Sequence, residues 1–222
     1  MALAKMKFRT SHLFFSLLVL SINGSAQAGI ADINRIFRQT PSLNALEVCQ
    51  GGGCAESNQV SISAGEWENI AKIFKIKANN AAEERLQISQ AIGIFEKIIG
   101  EKNGTKDDIA GTFYDDLTGQ LDCNDEAINT TSYMRLLKTN GFMQFHEIED
   151  MRTRNFFFTG WPHSTAVMRE IETGARFAVD SWFYDNGHAA TIVPFSDWKS
   201  GYRPVDSPID KPRAAKHTSP QR

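Results

Sequence analysis

Three residue types that can share one acyl-transfer reaction follow one another along this chain. Cys123 stands in "GQLDCNDEAINTTSYMRLLKTNG", His163 in "GWPHSTAVMRE" and Asp180 in "RFAVDSWF". A cysteine attacks as its thiolate, and a free thiol titrates at about 8.5 unless a helix N-terminus or an imidazolium lowers it. Cys123 is placed for the first effect; Asp122 and Asp125 push the other way, so the residues alone leave the balance open. The second effect needs a histidine. Of the five, His12 falls in the N-terminal leader and His217 in the C-terminal tail, leaving His146, His163 and His188. His163 opens an apolar, strand-like run. A histidine base also needs an acceptor that orients it. Asp180 ends the next such run, after the apolar "FAV", where a carboxylate needs a partner. The two runs read as one hairpin, so His163 and Asp180 can approach each other across it.

Taken alone, Cys123 reads more simply as a small buried hydrophobe. The ordered set carries the catalytic reading, because such sites are recognised by mutual geometry. His146 in "FHEIED" reads as a strand residue beside acids, and the acids near Cys123 fit no calcium-loop spacing, so no metal or cofactor is expected. His188 in "DNGH" reads as a turn residue. Asn129-Thr130-Thr131 has the glycosylation pattern but falls inside an expected helix.

The elements that must position these residues follow from periodicity. Ser63 three residues before Glu66 has capping-box spacing and predicts a helix over 64–75. Ile88, Ile92, Phe95 and Ile99 recur at helical spacing over 80–100. Asp122 is the N-cap candidate for a helix over 123–139, with acids in its first turn and Asn140-Gly141 as its stop. Segments 142–148, 164–171 and 176–183 are rich in strand-favouring residues, with a short hairpin loop at 172–174. "TIVPF" is a further strand candidate, and 29–62 reads mainly as turns and loops. Helices followed by antiparallel strands predict an α+β domain, with the helix that starts at Cys123 packed on the sheet.

Composition bounds the rest. Hydrophobic residues make up 41% and charged residues 23% of 222, which is ordinary for one globular domain. A net charge of −2 gives no reason to expect a nucleic-acid partner. Lys5, Lys7 and Arg9, the apolar run at 13–22 and "AQA" before Gly29 form the pattern of a secretory signal peptide over 1–28. That run is shorter than the ~20 residues of a membrane span, so a soluble exported chain, periplasmic or secreted, is expected. The domain is assigned to 29–202 and a flexible, proline-rich, basic tail to 203–222. In an oxidising compartment Cys49 and Cys54, joined by three glycines and Gln50, are candidates for a local disulfide, which leaves Cys123 as the odd thiol.

Cysteine at a helix start, then histidine opening one strand and aspartate ending the next, resembles the transglutaminase-like superfamily, whose papain-related folds carry a Cys-His-Asp triad. "LDCNDEAINTTSYMRLLKTNGF" and "PHSTAVMREIETGARFAVDSWF" carry the resemblance, which covers 119–183. It is similar in the same way to the exported bacterial transglutaminase-like cysteine proteinases. Many members have an aromatic residue two after the histidine; here it is Thr165. The resemblance implies Cys123 as nucleophile, His163 as base and Asp180 as its orienter, acting on a protein or peptide. Gln120 is a side-chain candidate for the oxyanion site, since papain-like folds place a glutamine upstream of the cysteine. Trp161 and Trp182 flank the triad positions and can wall a dry cleft or simply fill core. The expected activity is amide hydrolysis or acyl transfer. The alternatives are a catalytically inactive binding module with the same fold, and a redox protein using all three cysteines; the second lacks a C-x-x-C spacing.

Overall fold

Ser63 and Glu66 close a reciprocal cap. The Ser63 hydroxyl accepts from the Glu66 N–H, and the Glu66 carboxylate accepts from the Ser63 N–H at 2.7 Å. In the computed structural model, which describes residues 35–113, 118–154 and 162–210, this cap starts α1 (Ala64–Ala71). The helix tightens into a 3-10 turn, Lys72–Phe74, rather than continuing as α-helix to residue 75. Asn80 caps α2 (Ala81–Asn103), its side chain accepting from the Glu83 N–H at 2.9 Å. That helix passes Gly100 and stops at Gly104, which takes the left-handed conformation at φ 87° that glycine adopts without a Cβ penalty. Gly93 admits a close neighbour instead: a Cβ there would lie 2.8 Å from the His188 carbonyl oxygen.

The third helix, α3 (Cys123–Thr139), occupies the expected span. Asp122 accepts from the N–H groups of Asn124 at 2.9 Å and Asp125 at 2.8 Å. This helix is buried nearly all round, including Asp125, Glu126, Asn129, Thr130, Thr131 and Ser132. Central helices of this kind must satisfy each polar group internally.

Four antiparallel strands form the main sheet in the order β3-β4-β5-β6. They are β3 (His146–Arg154), β4 (His163–Glu170), β5 (Arg176–Asp180) and β6 (Thr191–Pro194). Strand β3 starts four residues later than its sequence pattern predicts, because the Glu84 carboxylate captures the N–H groups of Gln144 at 2.5 Å and Phe145 at 3.0 Å. Strand β5 ends at Asp180, and Trp182 and Phe183 turn into the core instead of extending the strand. A separate hairpin, β1 (Leu46–Gln50) and β2 (Glu56–Val60), lies where the sequence reads as loops. A short helix, α4 (Phe195–Lys199), follows β6 and buries Trp198. The architecture is therefore α+β with antiparallel sheets.

The larger core joins α1, α2, α3 and the sheet through Ile70, Phe95, Tyr133, Leu137, Met168 and Val179. A second apolar cluster contains Cys123, Ala178, Trp182, Phe183 and Trp198, with Ile209 packed against it. Part of the segment assigned by composition to a tail thus lies on the domain. There the Ser207 hydroxyl donates to the Phe183 carbonyl at 2.6 Å. The expected signal peptide and residues 211–222 lie outside the described residues. Among the described residues no helix is long and apolar enough to cross a membrane.

Candidate functional site

The antiparallel register sets the end of β5 beside the start of β4: Ala166 pairs with Val179, one residue before Asp180. His163 Nε2 and Asp180 Oδ2 meet at 2.6 Å, with both side chains almost fully buried. The same carboxylate oxygen accepts from Trp198 Nε1–H at 2.7 Å. An acceptor-only carboxylate fixes the neutral imidazole as the Nε2–H tautomer and leaves a lone pair on Nδ1. His163 Nδ1 is buried and has no hydrogen-bond partner among the described residues. The ring lies against Trp182, Phe183 and Trp198, at centroid distances of 4.5, 5.4 and 5.6 Å. Arg154 pairs with His163 in the β3–β4 ladder and stacks over the Trp198 ring at 4.9 Å. Its guanidinium donates to the Trp198 carbonyl at 2.6 Å, so Arg154 holds Trp198 and Trp198 holds Asp180.

Cys123 is the first residue of α3 and is 7% exposed. It belongs to the cluster of Trp182, Phe183 and Trp198, the three aromatic residues that surround the His163 ring. The Ser164 hydroxyl donates to Asn124 Oδ1 at 2.7 Å and ties the start of β4 to the start of α3. The structure thus joins His163 to Asp180 directly and sets Cys123 in the aromatic cluster around the ring; among the described residues no hydrogen bond joins the sulfur to His163 Nδ1. Burial, reinforced by the charges of Asp122 and Asp180, pushes the Cys123 thiol up to about 12, while the N–H groups of Ser164 and Cys123 itself pull it down. The resting sulfur is a neutral thiol.

Gln120 is occupied elsewhere. Its Oε1 accepts from the Ile109 N–H at 3.1 Å and the Thr112 hydroxyl at 3.0 Å. Its Nε2 donates to the carbonyls of Asp107 at 3.0 Å and Gly119 at 3.2 Å. The bond to Asp107 and both Oε1 bonds fasten the 105–113 loop to the segment that leads into α3, and the second amide N–H is used by the neighbouring Gly119 carbonyl. The Cys123 N–H, at the helix N-terminus, is the donor placed beside the sulfur. Trp182 walls the site while its Nε1–H donates to the Thr112 carbonyl at 2.9 Å. Trp161 lies outside the described residues. His146 is committed to Glu84 at 2.8 Å and Arg85 at 3.2 Å.

Cys49 and Cys54 are joined in a disulfide. Sequence reasoning found this pair but missed where its loop docks. The N–H groups of Gly52 and Cys54 both donate to Asp125, each at 2.7 Å, and the Gly53 N–H donates to Asp122 at 2.9 Å. Asn129, on the same helix, clamps the Cys49 N–H at 2.7 Å and the Cys49 carbonyl at 2.9 Å. Gly51, Gly52, Gly53 and Cys54 all have positive φ, at 83°, 82°, 61° and 60°. Successive residues of this kind turn their N–H groups toward a common anion. Burial and Asp122 push the Asp125 carboxyl up to about 7 against these donors.

Trp198 and Arg154 were also missed. A tryptophan five residues after a strand-like valine carries no local sign of a bond to a distant aspartate. A strand arginine whose expected partners are solvent gives no sign of a buried role either. Compared with known proteins, the chain matches no family model, no curated protein and no solved structure.

Proposed function

We propose that this chain is an exported thiol-dependent amide hydrolase or acyl transferase of transglutaminase-like, papain-related fold, acting on a protein or peptide. The observation that carries the reading is the His163–Asp180 bond, made through Nε2, with a lone pair left on Nδ1 in the aromatic cluster that also buries Cys123. Because the resting thiol is neutral, its proton passes to His163 Nδ1 as Sγ attacks the amide carbonyl carbon. The Cys123 N–H stabilises the oxyanion that forms. Collapse expels the amine, which takes the proton from the imidazolium, and leaves a thioester on Cys123. Water, or an acceptor amine, then attacks the thioester as His163 takes its proton; the restored thiol recovers that proton. Asp180 stays ionised and holds the imidazole in the reactive tautomer. The disulfide is consistent with folding in an oxidising compartment.

A second reading is a binding module with the same fold and no turnover. The near-complete burial of Cys123 and its raised thiol pKa favour it. A peptide probe with an electrophile in place of the scissile amide separates the two readings. On the enzyme reading it labels Cys123, and His163→Gln slows labelling by about 10²-fold or more at unchanged melting temperature. Labelling that is indifferent to His163, or absent from the native chain, favours the binding module.

A further inference from the structure

Acids on either side of a nucleophilic thiol work against it, yet Asp122 and Asp125 stand within two residues of Cys123. The structure gives both carboxylates a common set of partners. Three N–H groups of one glycine loop reach them, two to Asp125 and one to Asp122. The loop is closed by the Cys49–Cys54 bond, and its base is pinned through Cys49 to Asn129, lower on the same helix. Four consecutive residues with positive φ aim the donors, a backbone shape that the disulfide holds closed.

Resting on the thiol-enzyme reading above, we propose that the disulfide-closed loop Cys49–Cys54 is a positioning element of the site: its N–H groups bind Asp125 and Asp122 and so limit how far these two acids oppose ionisation of the Cys123 thiol. The other groups that face the thiol are His163 on β4, Asp180 at the end of β5 and Arg154 on β3, whose guanidinium senses both Asp180 and Cys123. Among the described residues none of these is hydrogen-bonded or ion-paired to the glycine loop. With the loop in place, the positive end of the α3 dipole and the N–H groups of Ser164 and Cys123 act on the sulfur against Asp122 and Asp180, while Asp125 is held by two N–H groups of the loop. Without it, Asp125 becomes a hydrated, fully ionised neighbour of the nucleophile.

The test is the pH profile of Cys123 alkylation by iodoacetamide, which a merely structural clasp would not move. In Cys49→Ala/Cys54→Ala, Cys123 is the only thiol. The profile is expected to move to higher pH, with alkylation about tenfold slower at pH 7, the equivalent of one unit. Adding Asp125→Asn to that background is expected to return the rate to within about twofold of native. A native profile in the double variant, or no recovery with Asp125→Asn, overturns the proposal. A second variant covers the case in which the double variant fails to fold. In the disulfide-intact chain, Asn129→Ala, which frees the base of the loop at Cys49, is expected to move the profile to higher pH, slowing alkylation at pH 7 by about twofold or more. A native profile there overturns the proposal. Labelling by the peptide probe is read separately. A Cys123 whose alkylation follows the loop but which never acylates overturns the enzyme reading alone; acylation with a rate indifferent to the loop overturns the positioning role alone.

Discussion

Asp180 shows how one buried carboxylate is made tolerable and useful at once. A desolvated anion needs charge-assisted partners. Here one oxygen accepts from both His163 Nε2 and Trp198 Nε1. Asp180→Asn offers an amide that no longer demands the Nε2–H tautomer. Its turnover of a peptide amide is expected to fall by roughly 10³–10⁴-fold, checked by kcat on the native substrate class with the fold monitored by circular dichroism. Trp198→Phe keeps the ring stack and removes one donor. That change is expected to destabilise by about 1–3 kcal/mol in urea melts, with a smaller loss of activity than Asp180→Asn, because the histidine bond survives. Retained turnover in Asp180→Asn would assign Asp180 a packing role instead.

Among the elements, α3 does two jobs with one sequence. Its N-terminal turn presents Cys123 and receives the glycine loop through Asp122 and Asp125, while Asn129 receives the base of that loop. Its later turns bury Tyr133, Met134, Leu136 and Leu137 in the main core. Asn129→Ala leaves a buried N–H and carbonyl of Cys49 without partners. Equilibrium unfolding is expected to show a loss of about 2–4 kcal/mol, and a loss below about 0.5 kcal/mol would mean the hairpin is not fastened there. The Cys123 alkylation profile should move in the same direction as in the disulfide variant, since the same loop is released. The boundaries of α3 were legible because its cap and stop are local: Asp122 bonds N–H groups two and three residues on, and Asn140-Gly141 ends the helix. Strand β3 starts four residues later and ends six residues later than its sequence pattern predicts; its start is set by Glu84, some sixty positions away, through bonds no sequence window contains.

Across the whole molecule, acids gathered behind α3 tie stability to pH. Glu96 of α2 and Asp108 of the following loop are pushed up, chiefly by burial, to about 8 and about 7, and Glu126 is raised well above its ordinary value. Ser181, next to Asp180, donates to Glu126 and contacts Thr130 at 3.2 Å. A carboxyl raised in the folded state holds its proton there after the unfolded chain has released it. Its stabilisation is complete below about 4.5, the ordinary glutamate value, and is lost as pH rises toward about 8. Glu84 runs the other way: the bonds from His146, Gln144 and Phe145 outweigh burial and lower it, so its contribution is lost only under acid conditions. The melting temperature should therefore fall between pH 5 and pH 8. Glu126→Gln should flatten that slope, as scanning calorimetry would read, and an unchanged slope would mean these acids are not the source. Since Ser181 links the cluster to the Asp180 end of β5, alkaline conditions should loosen the site before the sheet melts.

The sequence by itself determined what depends on near neighbours. The α+β order, the three helices with the Ser63 and Asp122 caps, the Cys49–Cys54 clasp and the candidates Cys123, His163 and Asp180 all rest on residues a few positions apart or on simple chain order. Tertiary structure alone decided what depends on contacts between distant segments. It gave Asp180 a tryptophan from α4, tied the Gln120 amide to the 105–113 loop and folded a glycine-rich stretch into a hairpin. It also set that hairpin against the acids beside Cys123. Buried polar groups take whichever partner the packed chain brings within about 3 Å, and no local pattern of residues specifies that partner.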